Sequence, residues 1–166
     1  MSPLATVPAA TATTMPAATT VHAATPYDVL KLDNQICFPL YAASREVIKR
    51  YKPHLDALDL TYTQYIAMMV LWEQHEVSAR DLGQRLFLDS GTLTPVLKSL
   101  EAKGYVTRER STTDERVLMV ALTPAGEALR DRALHVPAAV GTCIELEPQE
   151  ALQLHALLHK LLANFE

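Results

Sequence analysis

One stretch, DSGTLTPVLKSLEAKG from Asp89 to Gly104, leaves this chain little choice of local structure. Leu93, Val96, Leu97 and Leu100 fall at i, i+3, i+4 and i+7 and form one apolar helical stripe. Asp89 or Ser90 can cap the start, and Gly104 stands where a C′ glycine ends a helix. Ser90, Thr92, Thr94 and Lys98 point away from the stripe. Upstream, SARDLGQRL opens with Ser78 and has Asp81 three residues later, a capping-box-like start for a short helix with Leu82 and Leu86 on one face. Downstream come two β-rich runs, Tyr105–Arg110 and Arg116–Leu122, joined by the polar connection Ser111–Glu115. Helix, turn, helix, hairpin is the order of a winged helix-turn-helix.

The same order occurs in some enzymes and interaction modules, so the hairpin has to decide. Its tip carries Arg110, Asp114 and Arg116, with Arg108 behind. A finger with guanidinium groups near its tip suits the narrow, negative minor groove of DNA. Lys98 and the hydroxyls of Ser90, Thr92 and Thr94 suit phosphates and base edges in the major groove. Net charge is −4, which argues against an indiscriminate polyanion binder. Residues 80–116, however, hold seven Lys/Arg against six Asp/Glu. A mildly basic reading surface on an acidic body fits binding that requires correct docking.

The rest of the chain frames this module. Residues 1–26 are rich in Ala, Thr and Pro and carry no Asp, Glu, Lys or Arg, so they are expected to be a disordered tail. No cationic region precedes an apolar run, and no segment approaches a membrane span, so a cytoplasmic location and no membrane partner are expected. From Tyr27 to Tyr51 the apolar residues repeat at helical spacing on a wide arc, which predicts a helix buried on more than one side. Pro39 predicts a helix start or a kink close to Cys37, and Pro53 is expected to end the helix. A second helix is expected over Thr63–His75, with Tyr65, Ile66, Met69, Val70 and Trp72 packed inward and Met68 also in the core. Thr123-Pro124 starts another, which meets Pro137 and is expected to continue past Cys143 with a kink. Glu147-Pro148 starts the last, with Leu154, Leu157, Leu158, Leu161, Leu162 and Phe165 as its stripe. The expected fold is therefore mainly α with a small β-hairpin: a winged helix-turn-helix over 53–123 and a helical dimerisation layer from 27–52 and 124–166. Two-fold dimers usually read paired half-sites, so a homodimer on double-stranded DNA is the expected assembly.

His155 and His159 stand at i, i+4, a spacing that can hold a metal, but no third ligand is near and HExxH is absent; they read as helix surface or interface. No Gly-rich phosphate loop, GxSxG elbow or cysteine cluster appears, so no cofactor is expected and the chain does not read as an enzyme. Two cysteines remain, Cys37 and Cys143, too far apart for a CxxC motif. Each could be a small buried hydrophobe. A thiol near a helix start, though, has its thiolate stabilised by the helix dipole, and tyrosine hydroxyls can donate to it. Such a thiolate reacts with peroxide to give a sulfenic acid, which condenses with a second thiol in reach.

LDNQICFPLYAASREVIKRYKPHLDALDLTYTQY, LDSGTLTPVLK and DERVLMVALTPAG together resemble the MarR family, and within it the organic-hydroperoxide-sensing repressors of the OhrR group. The resemblance runs from about Leu32 to the C-terminus, making 27–166 a single MarR-type domain. It implies that Cys37 is the peroxidatic sensor and that Tyr51 and Tyr62 hydrogen-bond it when reduced. It implies that Asp114 and Arg116 serve the wing, the arginine entering the minor groove. It further implies that Cys143 is the resolving cysteine of a two-cysteine subgroup, closing an intersubunit disulfide.

Spacing adds a condition. Cys37 and Tyr51 are separated by roughly 21 Å along a continuous helix. If they share a site, the tyrosine comes from the other subunit or the helix breaks; the first is expected. The expected effector is an organic hydroperoxide, admitted by an apolar pocket of Phe38, Leu40, Met68, Met69 and Trp72. Its action is to convert a reduced, operator-bound repressor into an oxidised, released one, derepressing peroxide-resistance genes. Two rivals stand beside this reading. One is a MarR regulator released by a non-covalent aromatic ligand, with silent cysteines. The other is a thiol peroxidase using Cys37 and Cys143.

Overall fold

The computed structural model describes residues 25–165, so the expectation for the tail lies, but for its last two positions, outside the described residues. The chain divides into a unit ending at Pro39 and a larger one beginning at Leu40. In the first, two 3-10 turns, Asp28–Leu30 and Leu32–Asn34, precede the first turn of α1 (Cys37–Asp56). The helix expected from Tyr27 thus starts only at Cys37, which places Pro39 in the first turn, where its missing amide costs nothing.

Pro53 does not end α1, contrary to expectation; the helix runs one turn further, to Asp56. Leu55, 2% exposed, anchors that last turn in the core, and Lys52 reaches Asp56 at 2.8 Å across it. Packing thus outweighs one lost backbone bond. Nor is α1 buried on several sides among the described residues: Leu40, Tyr41 and Ile48 are exposed and Leu55 is its one buried residue.

Leu60 N–H closes back on the Leu55 carbonyl, and α2 (Tyr62–Gln74) follows, capped by Thr61 with Gln64 in a reciprocal capping box. It is the central helix, burying Tyr65, Ala67, Met68, Val70, Leu71 and Trp72. Met69, expected inside, is exposed, while Met68 takes the core position. β1 (Glu76–Ser78), which the sequence patterns did not suggest, leads into α3 (Ala79–Leu86), with Ser78 as cap. Then come α4 (Ser90–Ala102), β2 (Val106–Arg110) and β3 (Leu118–Leu122). The three strands form an antiparallel sheet in the order β1-β3-β2, with Val77 opposite Val120 and Arg108 opposite Val120 from the other side. Leu82, Leu93, Leu97, Leu100, Val106 and Val120 join the α2 residues in one core.

α5 (Pro124–Ala133) begins at Thr123, whose hydroxyl accepts from Gly126 N–H. The helix does not run on through Pro137. It stops at Leu134–His135, and a short α6 (Val136–Gly141) follows. A proline has no amide for the carbonyl four residues back and disfavours helix at the residue before it, so the break falls upstream of Pro137. Cys143 accordingly lies beyond α6, in a turn where its amide reaches the Val140 carbonyl. α7 (Pro148–Leu162) starts at Glu147 with a Glu150 capping box and buries none of its residues. No helix among the described residues is long and apolar enough to cross a membrane.

Candidate nucleic-acid interface and thiol site

α3, α4 and the β2–β3 wing bound an open cleft of about 1150 Å³. Its walls include Ser90 and Thr94 from α4, Arg80 and Gln84 from α3, and Arg108 and Arg116 from the wing. Arg80 and Gln84 were not singled out in the sequence. Their spacing of one helical turn on the polar side of α3 was the available signal. Lys98 and Thr92 are exposed on α4.

The start of α4 is tightly held. Asp89 accepts from Thr92 N–H at 2.9 Å and from the Thr92 hydroxyl at 2.9 Å. Those bonds, the amide first and then the hydroxyl, keep its carboxyl below the ordinary carboxylate range. A folded-state pKa lowered in this way means the cap's contribution is present above the unfolded value and is lost as pH falls through the folded one. The cap is therefore charged and closed at neutral pH. Thr94 donates to the Ser90 carbonyl at 2.6 Å, so both threonine hydroxyls spend their protons inside the helix and face outward as acceptors.

The wing tip is built by Asp114. Its Oδ1 accepts from Arg116 N–H at 2.9 Å, its carbonyl from Val117 N–H at 2.9 Å, and Ser111 N–H pairs with the Val117 carbonyl. Arg110 Nη1 donates to the Arg116 carbonyl at 3.1 Å. Asp114 thus shapes the turn from which the exposed Arg116 side chain projects. Arg108, expected as a DNA contact, lines the same cleft and has a partner within the chain. Its Nε and Nη2 donate to Glu101 Oε2 at 3.0 and 2.6 Å, and its side chain is 18% exposed. It braces the wing against α4.

Both cysteines are exposed and carry free thiols. Cys37 is the first residue of α1. At the other end of the larger unit's share of α1, Tyr51 meets Tyr62, the first residue of α2, with ring centroids 5.0 Å apart, edge to face. Tyr65, which sequence reasoning placed only in the core, completes the group at 5.9 Å from Tyr51 and 6.2 Å from Trp72. Burial, and then Tyr51, push the Tyr62 phenol up from its ordinary value; burial, Tyr51 and Tyr62 do the same for Tyr65. Both therefore remain hydroxyl donors at neutral pH. Of the residues expected around an apolar pocket, Met68 and Trp72 are in the core, with the Trp72 indole N–H donating to the Gly126 carbonyl at 2.9 Å. Leu40 and Met69 are exposed, as is Phe38 in the first unit. His155 and His159 are both exposed on α7, with their Nε2 atoms 3.1 Å apart.

Comparison with known proteins places this geometry. A family described as transcriptional regulator SarA/Rot matches residues 49–132. The chain is 44% identical, over 82% of its length and 92% of the relative's, to the organic hydroperoxide resistance transcriptional regulator of Bacillus subtilis. It is similar to the solved structure of reduced AbfR bound to DNA, with TM-score 0.70 and 34% identity over 82% of this chain and 93% of that one. Disulfide-formed AbfR also matches, with TM-score 0.55 and 33% identity over 82% of this chain and 90% of that one.

Proposed function

The chain belongs to the SarA/Rot-type, MarR-family winged-helix transcriptional regulators, and from that premise we propose a repressor switched by oxidation of Cys37. It is a transcriptional regulator and not an enzyme, which sets aside the peroxidase reading. The observation that carries the proposal is the meeting of Tyr51 and Tyr62, two phenol donors brought together from different helices, in a chain whose α1 begins with an exposed thiol.

The reduced homodimer holds an operator with α4 in successive major grooves, about 34 Å apart, and Arg116 of each wing in the minor groove. α1 is unbroken from Cys37 to Asp56, so the phenols facing Cys37 are the partner subunit's Tyr51 and the partner subunit's Tyr62. The exposed apolar residues of α1 and α7 supply the surface that the second copy covers. Exposed Leu40 and Met69 become pocket walls only in that assembly.

The Cys37 thiolate attacks one oxygen of an organic hydroperoxide. An S–O bond forms, the O–O bond breaks, and the departing alkoxide takes a proton and leaves as an alcohol. The resulting sulfenic acid condenses with the thiol of the partner subunit's Cys143, releasing water and forming a disulfide. The two Cα atoms must then lie about 4.4–6.8 Å apart. Meeting that requirement displaces the helices that carry the sulfurs and so changes the spacing of the two α4 helices. Similarity is lower to disulfide-formed AbfR than to DNA-bound AbfR, whether reduced or overoxidised, which supports a change of shape with disulfide formation, rather than with oxidation as such, in a relative.

The test is an operator mobility-shift assay with cumene hydroperoxide, with and without dithiothreitol. The wild-type protein is expected to release DNA on oxidation and regain it on reduction, and Cys37→Ser to bind DNA and ignore the oxidant. Normal release by Cys37→Ser would remove Cys37 as sensor and leave the non-covalent aromatic ligand as the reading to pursue.

A further inference from the structure

Gln64 is the one buried polar side chain among the described residues, 5% exposed, and a helix cap alone does not account for all its bonds. As a capping residue it needs a single oxygen, and Oε1 accepts from Thr61 N–H at 3.0 Å. The amide nitrogen does something else. Nε2 donates to Ser99 Oγ at 2.9 Å, across to the C-terminal half of α4. Lys103, the C-cap of α4, donates to the same Oε1 at 3.3 Å, and also to the Asp59 carbonyl in the loop before α2. The residue lies between Tyr62 and Tyr65 in sequence, in the first turn of α2 that carries both phenols.

We propose that Gln64, through Ser99 and Lys103, is the positioning residue that transmits a displacement of the tyrosine cluster to the DNA-reading helix. This rests on the thiol-switch reading given above. A reduced thiolate holds Tyr62 by hydrogen bonding; a sulfur drawn away into a disulfide no longer receives that bond, and the first turn of α2 relaxes. Gln64 belongs to that turn by both backbone and side chain. Parting from Ser99 would leave the buried Gln64 amide short of a partner, which costs free energy, so the pair moves together rather than parting. The pull is applied at the C-terminal end of α4, opposite the end that enters the groove, and so tilts the helix.

The experiment measures operator affinity of the full-length protein, reduced and oxidised, for wild type, Ser99→Ala, Gln64→Met, the double variant and Gln64→Glu. Dimedone trapping reads Cys37 oxidation in parallel. Ser99→Ala keeps the capping box and the helical backbone, so it decides the matter if Gln64→Met fails to fold. Its oxidation rate is expected to match wild type while the reduced-to-oxidised affinity ratio falls about tenfold. The double variant is expected to lose nothing more than the larger single loss. Gln64→Glu, which retains an acceptor for Thr61, Lys103 and the Ser99 hydroxyl proton, is expected to keep the wild-type ratio. An unchanged ratio in Ser99→Ala, beside a wild type that responds, overturns the coupling and leaves the sensor intact. A wild type that shows no ratio at all overturns both.

Discussion

Gly126 shows how much a single position can carry. A Cβ there would come 2.1 Å from the Tyr105 carbonyl oxygen and 2.9 Å from Leu122 Cδ1, both in the hairpin region. Its amide is held by Thr123 and its carbonyl receives the Trp72 indole, so α5 meets the sheet and α2 at one residue. The obstructing atom is backbone and cannot rotate away. Gly126→Ala is therefore expected to lower unfolding free energy by about 3 kcal/mol, measured by urea denaturation. The tyrosines make the same point for function. Tyr51 and Tyr62 were named by resemblance to a family, but that they touch, and that burial raises the Tyr62 phenol further above its ordinary value, required coordinates.

Among the elements, the wing separates two arginines that look alike in sequence. Arg116 projects from a turn that Asp114 fixes, whereas Arg108 is spent on Glu101. Arg116→Ala is expected to lower operator affinity by about 1–3 kcal/mol with little effect on stability. Arg108→Ala should do the reverse: its loss leaves Glu101 without a partner and loosens the wing, at about 1 kcal/mol of stability. Paired mobility-shift and thermal-denaturation measurements distinguish the two. Equal losses of affinity would mean that Arg108 leaves Glu101 to meet DNA.

On the scale of the molecule, the apolar surface of α7 has no cover among the described residues. Leu154, Leu157 and Leu161 are exposed on a helix that buries nothing, and Phe165 is exposed just beyond its end. Apolar stripes of this length are stable in water when another surface covers them. In the dimer proposed above, Cys143, beyond the end of α6, would meet the partner subunit's Cys37. Cys143→Ser is expected to retain DNA release by hydroperoxide but to show no covalent dimer on a non-reducing gel. An undiminished dimer band would rule out the pairing with Cys37.

Local chemistry made a large part of this protein legible in its residues alone. The α4 stripe with Asp89 and Gly104 at its ends, the Ser78 and Thr123 caps, and the polar connection between two β-rich runs all act within a few positions of themselves. Their stabilising bonds are closed by near neighbours, so the pattern and its physical cause lie in the same short window. What tertiary structure decided lies outside any such window. Leu55 carries α1 past Pro53 because the core is there to receive it. β1 exists because β3 offers an edge to Glu76–Ser78. Arg108 turns to Glu101, and Gln64 to Ser99, because folding brings together groups that periodicity cannot relate. Helical spacing says which face of a residue is apolar; only the packed chain says what that face, or the polar group beside it, will meet.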